Sequence, residues 1–266
     1  MKHRARSSSN VKAPTDLARL REQRDSFADG AAHKQFLSAH DSQVFGVPLE
    51  ESVRVAGVGI SLQAPQPGEL VLYGSIPMVV ANCGRFLKKN ALEVEGIFRI
   101  GGSSKRVKEL QFVFSSPPNY GRNLDWELGG YHVHDAASLL RRYLNSLPEP
   151  LVPLEMYEEF RASASARHIL LGEINSALAD YKTLLNRLPP TNKQVILYLL
   201  DMLNLFAMNC KANLMHAKNL AAIFQPSLLS HPNHDLDPSE YDNSRPVVEF
   251  LIQYADRLLP NLTKSD

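Results

Sequence analysis

Glu95-Gly96-Ile97-Phe98-Arg99-Ile100-Gly101-Gly102-Ser103 sets one arginine in a short loop between two helical patterns, with glycine on both sides. Glycine reaches backbone angles closed to other residues and lets a loop approach a partner closely. Ile97 and Phe98 are apolar and are expected to anchor the loop in the core, which leaves Arg99 held at the surface by buried neighbours. A planar, permanently charged group with several donors suits contact with phosphate or carboxylate. Taken alone, the same residues also describe a surface arginine on an ordinary connection. The segments around the loop decide between the two.

On its N-terminal side, Pro77 stands where a first helical residue should. Val79, Val80, Cys83, Phe86 and Leu87 then recur at helical spacing, with Arg85, Lys88 and Lys89 at the polar edge. On its C-terminal side, Ser103 or Ser104 caps a helix whose face is Val107, Leu110 and Phe114. A loop over 117–131 carries the only tryptophan, Trp126. Asp135 is read as the cap of a helix over 136–147, with Leu140, Tyr143, Leu144 and Leu147 as its stripe and Arg141 and Arg142 at its edge. Pro148-Glu149-Pro150 stops that helix. Further helices are expected over 154–162, 168–187, 192–208 and 213–224, the last ended by Pro226. After a polar loop over 230–242, a final helix over 247–259 is closed by Pro260. Upstream, Pro48 and Glu50-Glu51 suit a helix start, with the helix running as far as Leu62 before a loop over 63–74. No internal repeat and no period-two strand stands out. The pattern predicts an all-α, multi-helix bundle.

The 266 residues, 44% hydrophobic and 21% charged, suit one domain of roughly 200 residues with a tail. A basic leader, expected to be disordered, is assigned to 1–43 and the folded domain to 44–262. Within the leader, Thr15 and Asp16 could cap a short helix to about Phe27. Residues 1–36 carry eight Lys/Arg against four Asp/Glu, leaving 21 against 24 in the remainder. A slightly acidic folded part argues against nucleic acid as the main ligand. The basic leader suits weak contact with acidic membrane lipid or phosphorylation at Ser7-Ser8-Ser9, and a solvated leader is the simpler role. Cys83 and Cys210 are expected to be free thiols in a reducing compartment. No apolar run is long enough to span a bilayer and no hydrophobic signal region follows Met1, so the chain reads as soluble and intracellular.

Enzyme readings fall away on inspection. His132-x-His134-Asp135 could suggest a metal pair, but no further His/Cys cluster stands at ligand spacing, so no metal site is expected. No glycine-rich loop ends in Gly-Lys-Ser/Thr, and neither cysteine sits in a catalytic signature.

Five segments, in order and at fitting separations, carry a resemblance. Val44-Phe45-Gly46-Val47-Pro48-Leu49-Glu50-Glu51-Ser52 opens it, and Glu95 to Arg99 with Gly102-Ser103 follows. Leu140-Arg141-Arg142-Tyr143-Leu144-Asn145-Ser146-Leu147-Pro148-Glu149-Pro150-Leu151 comes next, then Leu188-Pro189 with Asn192. Asn219-Leu220-Ala221-Ala222-Ile223-Phe224-Gln225-Pro226 closes it. From Val44 to Pro260 the chain resembles the RhoGAP domain, which activates Rho-family GTPases, and is especially similar to a fungal branch of that family.

The resemblance implies that Arg99, in a loop opened by Gly96, is a finger supplied in trans to a Rho-family small GTPase in its GTP state. GTP and magnesium would belong to the partner, so no cofactor of the chain's own is implied. Arg141 stands where the family usually has the lysine that braces the finger loop or contacts the GTPase. Asn219 matches the asparagine that orders the site and touches the partner's switch region, with a purely structural role as its alternative. Lys88 and Arg106 would add a positive rim, with solvated helix charge as their simpler role. Pro246 falls in a region resembling a partner-contacting part, its simpler role being to start the last helix. Asn145, Gln225 and Ser227 depart from the family's residues and could shift affinity or partner preference. A non-catalytic GTPase-binding module of the same fold is the rival reading. A cytoplasmic place is expected, with the basic leader as the means of any recruitment to the plasma membrane, and likeness to fungal sequences implies a Rho-type partner controlling cell wall or actin.

Overall fold

Pro48, with φ −52°, is already set for a helix, and the acidic pair behind it meets the positive helix end, so α1 (Leu49–Ala56) begins at once. The computed structural model describes residues 42–63, 70–162, 171–234 and 237–259, and the leader predicted for 1–43 lies almost wholly outside them. Helix α1 does not run to Leu62. Gly57 is extended, and a β-carbon there would stand 2.4 Å from the Val53 carbonyl oxygen, so only glycine allows the tight exit. The alternation of Val58, Ile60 and Leu62 then forms β1 (Gly57–Gln63), paired antiparallel with β2 (Leu70–Pro77) and irregular between Ile60 and Ser61. This strand pair replaces the expected helix tail and the described ends of the expected loop, whose residues 64–69 lie outside the described ones.

β2 leads through Pro77 into α2 (Met78–Asn90). After the arginine loop comes α3 (Ser104–Ser115), capped by the Ser103 hydroxyl, which accepts from the Arg106 N–H. The next helix, α4 (Val133–Ser146), begins earlier than predicted. Its cap is His132, and Asp135 is the third helical residue, returning a bond to the His132 N–H. Then follow α5 (Tyr157–Ala162), α6 (Ile174–Arg187), α7 (Pro190–Met208), α8 (Cys210–Asn213), α9 (Ala217–Leu228), α10 (Pro238–Gln253) and α11 (Ala255–Leu258). Helix α6 starts at 174 rather than 168, and the start predicted for it falls partly on undescribed residues.

Two prolines stand inside helices rather than at their ends: Pro226 in α9 and Pro246 in α10. Proline removes one backbone donor and frees the carbonyl four residues earlier. Both prolines are exposed, as are Ala222 and Asp242 at those earlier positions, so water can satisfy the freed carbonyls. α10 therefore starts at Pro238, well before Pro246.

The helices close over one core in which Leu87, Phe98, Leu110, Phe114, Tyr143, Leu203, Phe206 and Phe224 are fully buried. Each such side chain contributes about 1.5–3 kcal/mol of transfer free energy. The buried Tyr143 hydroxyl donates to the Ser52 Oγ at 2.8 Å, tying α4 to α1. Trp126 stacks on Phe86 at 4.6 Å and lids the core under the 117–131 loop. Among the described residues, no helix is long and apolar enough to cross a membrane. Cys83 and Cys210 are both free, and burial pushes the Cys83 thiol pKa up.

Candidate functional site

The loop after α2 is bent by two left-handed residues, Gly96 at φ 68° and Phe98 at φ 67°. That angle costs a side-chain-bearing residue roughly 1–2 kcal/mol. At Phe98 burial offsets the cost: its ring meets Phe206 edge-on at 4.9 Å and Phe224 at 5.2 Å, with Ile97 buried beside it. One residue later the chain faces outward. Arg99 is exposed, and among the described residues its guanidinium has no hydrogen bond or ion pair, while its backbone N–H donates to the Gly96 carbonyl at 2.9 Å. The left-handed φ is what calls for glycine at Gly96, since a β-carbon there would meet first the end of the exposed Ile100 side chain, which can move aside.

Arg141 rises from α4 to the same loop, and its Nη1 donates to the Phe98 carbonyl at 3.0 Å. Burial draws the guanidinium's pKa down, and its Nε has no partner among the described residues. Arg141 therefore braces the residue immediately before Arg99. On the return limb, the Gly102 N–H donates to the Ser138 Oγ at 2.9 Å and the Ser103 N–H to the Asp135 Oδ1 at 2.8 Å. Asp135 is fully buried and also accepts from the Arg106 Nε at 2.6 Å and the His132 N–H at 2.8 Å. Burial works to raise the Asp135 pKa, but Arg106 and the two backbone donors outweigh it and hold it below the ordinary value. Arg106 is thus bound to a buried carboxylate as a strut of the loop, not presented as free positive charge.

The remaining predicted residues are spread more widely. Asn219 is exposed in the first turn of α9, and its Nδ2 donates to the Leu214 carbonyl at 3.3 Å. Leu214 follows Asn213, whose carbonyl accepts the Gly96 N–H at 2.8 Å, so Asn219 sits beside the loop's entry. Lys88 is held by α7: its Nζ lies 3.4 Å from the Asp201 Oδ2 and 4.8 Å from the Tyr198 ring centre. No hydrogen bond or ion pair among the described residues links Lys88 or Pro246 to the Arg99 loop. Of the three departures, Gln225 and Ser227 are buried and donate to the Leu229 and Phe224 carbonyls, while Asn145 alone is exposed. No cluster of three or more metal-ligating side chains occurs among the described residues.

Asn213, expected to begin a helix over 213–224, is instead the last residue of α8 and carries a role the sequence does not signal. Fully buried, it donates to the Leu92 carbonyl at 2.7 Å and the Phe206 carbonyl at 2.9 Å, and accepts from the Met215 N–H at 2.8 Å. It joins the end of α2, the end of α7 and the approach to α9 under the arginine loop. A lone asparagine at the end of a one-turn helix carries no sequence signal of burial. The assembled arrangement holds the backbone on both sides of an exposed guanidinium, a group whose forked donors suit anionic oxygens.

A model of the RhoGAP domain family matches residues 77–233, which hold Arg99, Arg141 and Asn219. Over 227 residues the chain is 51% identical to Rho-GTPase-activating protein BAG7 of Saccharomyces cerevisiae, covering 85% of this chain and 54% of that protein. Over 242 residues it is 44% identical to Rho-GTPase-activating protein 5 of Schizosaccharomyces pombe, covering 91% and 65%. The chain thus spans between half and two thirds of the length of these relatives. Its fold resembles human Rho GTPase activating protein 15 with a TM-score of 0.66 at 21% identity, over 85% of this chain and 96% of that one. The BH domain from GRAF, the GTPase regulator associated with focal adhesion kinase, aligns with a TM-score of 0.58 at 25% identity, over 68% and 92%. The helical bundle and the matched span together make this chain a member of the RhoGAP domain family.

Proposed function

We propose that the chain binds a Rho-family small GTPase in its GTP state and inserts Arg99 into that partner's nucleotide site, stimulating hydrolysis to GDP and phosphate. The observation that carries this reading is the exposed, untethered Arg99 guanidinium directly after a buried Phe98 whose carbonyl Arg141 holds at 3.0 Å. The names of the two fungal relatives, both Rho-GTPase-activating proteins, support it.

In phosphoryl transfer, negative charge spreads over the oxygens of the transferred group, and a GTPase alone stabilises it incompletely. An arginine supplied in trans is worth on the order of 10³–10⁵ in rate. Its fork spans two oxygens at once, which a lysine point charge does not. Holding Phe98 before binding reduces the ordering cost of the encounter. GTP and magnesium belong to the partner, and the chain acts as an activator rather than a hydrolase. In this reading it works in the cytoplasm and at the plasma membrane where its partner resides, with actin or cell wall downstream.

Phosphate release from a panel of GTP-loaded Rho-family GTPases tests the proposal. Acceleration of at least one member by orders of magnitude is expected. Tight binding with hydrolysis left at its intrinsic rate would make the chain a non-catalytic binding module instead.

A further inference from the structure

Three side chains of α4, three residues apart, reach the backbone of the arginine loop. Asp135 accepts the Ser103 N–H, Ser138 accepts the Gly102 N–H, and Arg141 donates to the Phe98 carbonyl. Side chains at such spacing share one face of a helix. Residues 98–103 therefore run antiparallel along a single stripe of α4, tied at both ends of the loop. The polarity is matched throughout: two acceptors meet two successive N–H donors, and a cation meets the carbonyl. The contact is close enough that a β-carbon on Gly102 would lie 2.6 Å from the Asp135 Cα.

We propose that Ser138 and Asp135 are positioning residues for Arg99, fixing the return limb of the loop as Arg141 fixes the outgoing limb. This rests on the reading of Arg99 as the finger. Between the two ties stand only Arg99, Ile100 and Gly101, all exposed, and Gly101 has no neighbour within 4 Å of where its β-carbon would be. Arg99 and Ile100 keep their N–H bonds to the Gly96 carbonyl, at 2.9 and 2.8 Å, so with the Ser138 tie cut the loop loosens at Gly101 and Gly102, and the turn that carries the arginine fork loses its support on that side. Asp135 has two further tasks, closing the α4 cap and pairing Arg106, so its loss also burdens folding. Ser138 does neither. It is half-buried, and its hydroxyl accepts the Gly102 N–H at 2.9 Å.

The test uses the full chain as wild type, Ser138→Ala and Ser138→Thr, with the GTPase that responds best in the panel. Three quantities are measured: the maximal stimulated hydrolysis rate, the Kd for the GTPase loaded with a non-hydrolysable GTP analogue, and the thermal midpoint. Ser138→Ala is expected to lose about tenfold or more in maximal rate, with Kd changed by less than about twofold, because misplacement costs the transition state and not the encounter. Its midpoint should move little, and Ser138→Thr, which keeps the hydroxyl, should restore most of the rate. A Ser138→Ala rate equal to wild type overturns the inference. So does a rate that falls in step with affinity or thermal midpoint and is not restored by threonine. A wild-type chain inert on every GTPase overturns the finger reading and this inference together, whereas an active wild type with an unaffected Ser138→Ala overturns the inference alone.

Discussion

Gly102→Ala should uncouple the arginine loop from α4 while leaving the rest of the bundle intact. An added β-carbon would stand 2.5 Å from the Asp135 Oδ1, 2.6 Å from its Cα and 2.7 Å from its N. To restore the 3.0 Å below which real β-carbons essentially never approach, the loop must withdraw by about 0.5 Å, because helix backbone cannot yield. Gly102 is not in the left-handed region, so the penalty is one of space alone. The withdrawal stretches the bonds to Ser138 and Asp135, now 2.9 and 2.8 Å. Overpacking of this kind costs about 1–3 kcal/mol. In a domain of this size that lowers Tm by roughly 3–10 °C. The stimulated rate should fall by about 10- to 100-fold, as for sub-ångström to ångström misplacement of a reacting group. Gly101→Ala is the internal control: its β-carbon meets nothing within 4 Å, so both Tm and rate should stay close to wild type. Thermal unfolding and single-turnover GTP hydrolysis read the two effects separately. A Gly102→Ala chain as stable and active as Gly101→Ala would refute the close apposition of loop and helix.

Two further predictions follow from the same contacts. Arg141→Met leaves the Phe98 carbonyl without its donor, and the stimulated rate should drop by on the order of tenfold while GTPase affinity holds; an unchanged rate would remove Arg141 as the brace. Asp135 has a folded pKa below its ordinary 3.8, so its contribution to stability is complete above that value and is lost as pH falls through the depressed one. Thermal midpoints taken from neutral pH down to about pH 3 should fall less steeply in Asp135→Asn than in wild type, and equal slopes would contradict that assignment.

The helical spacing of apolar residues was enough to reveal the bundle, because amphipathic stripes such as Val107-Leu110-Phe114 record burial directly. The hairpin is hard to read from sequence because an acidic helix start at Glu50-Glu51 stands directly before it and Gly57 and Gly59 dilute the alternation of Val58, Ile60 and Leu62. Pro226 and Pro246 were read as helix boundaries, since a proline says nothing of whether water can reach the carbonyl it frees. In the arginine loop, the exposure of Arg99 and the burial of Phe98 were legible from a polar residue flanked by apolar ones and glycine. Asp135, Ser138 and Asn213 were not. Their roles arise from chain segments brought together by folding, 36 residues apart for Ser138 and Gly102 and 121 for Asn213 and Leu92. Arg106 shows the same limit from the other side, since only the fold reveals the buried carboxylate that takes its charge.

The most direct measurement is single-turnover hydrolysis by the responsive GTPase with wild-type chain and with Arg99→Ala, alongside the Kd of each for the analogue-loaded GTPase. The Arg99 guanidinium makes no hydrogen bond or ion pair among the described residues, and its one backbone bond, N–H to the Gly96 carbonyl, survives substitution, so Arg99→Ala should fold and bind as wild type does. With Arg99 as the finger, the stimulated rate of Arg99→Ala falls by on the order of 10³-fold or more toward the intrinsic rate. Stimulation by Arg99→Ala within about tenfold of wild type would contradict the account, since the charge acting on the phosphoryl group would then come from elsewhere.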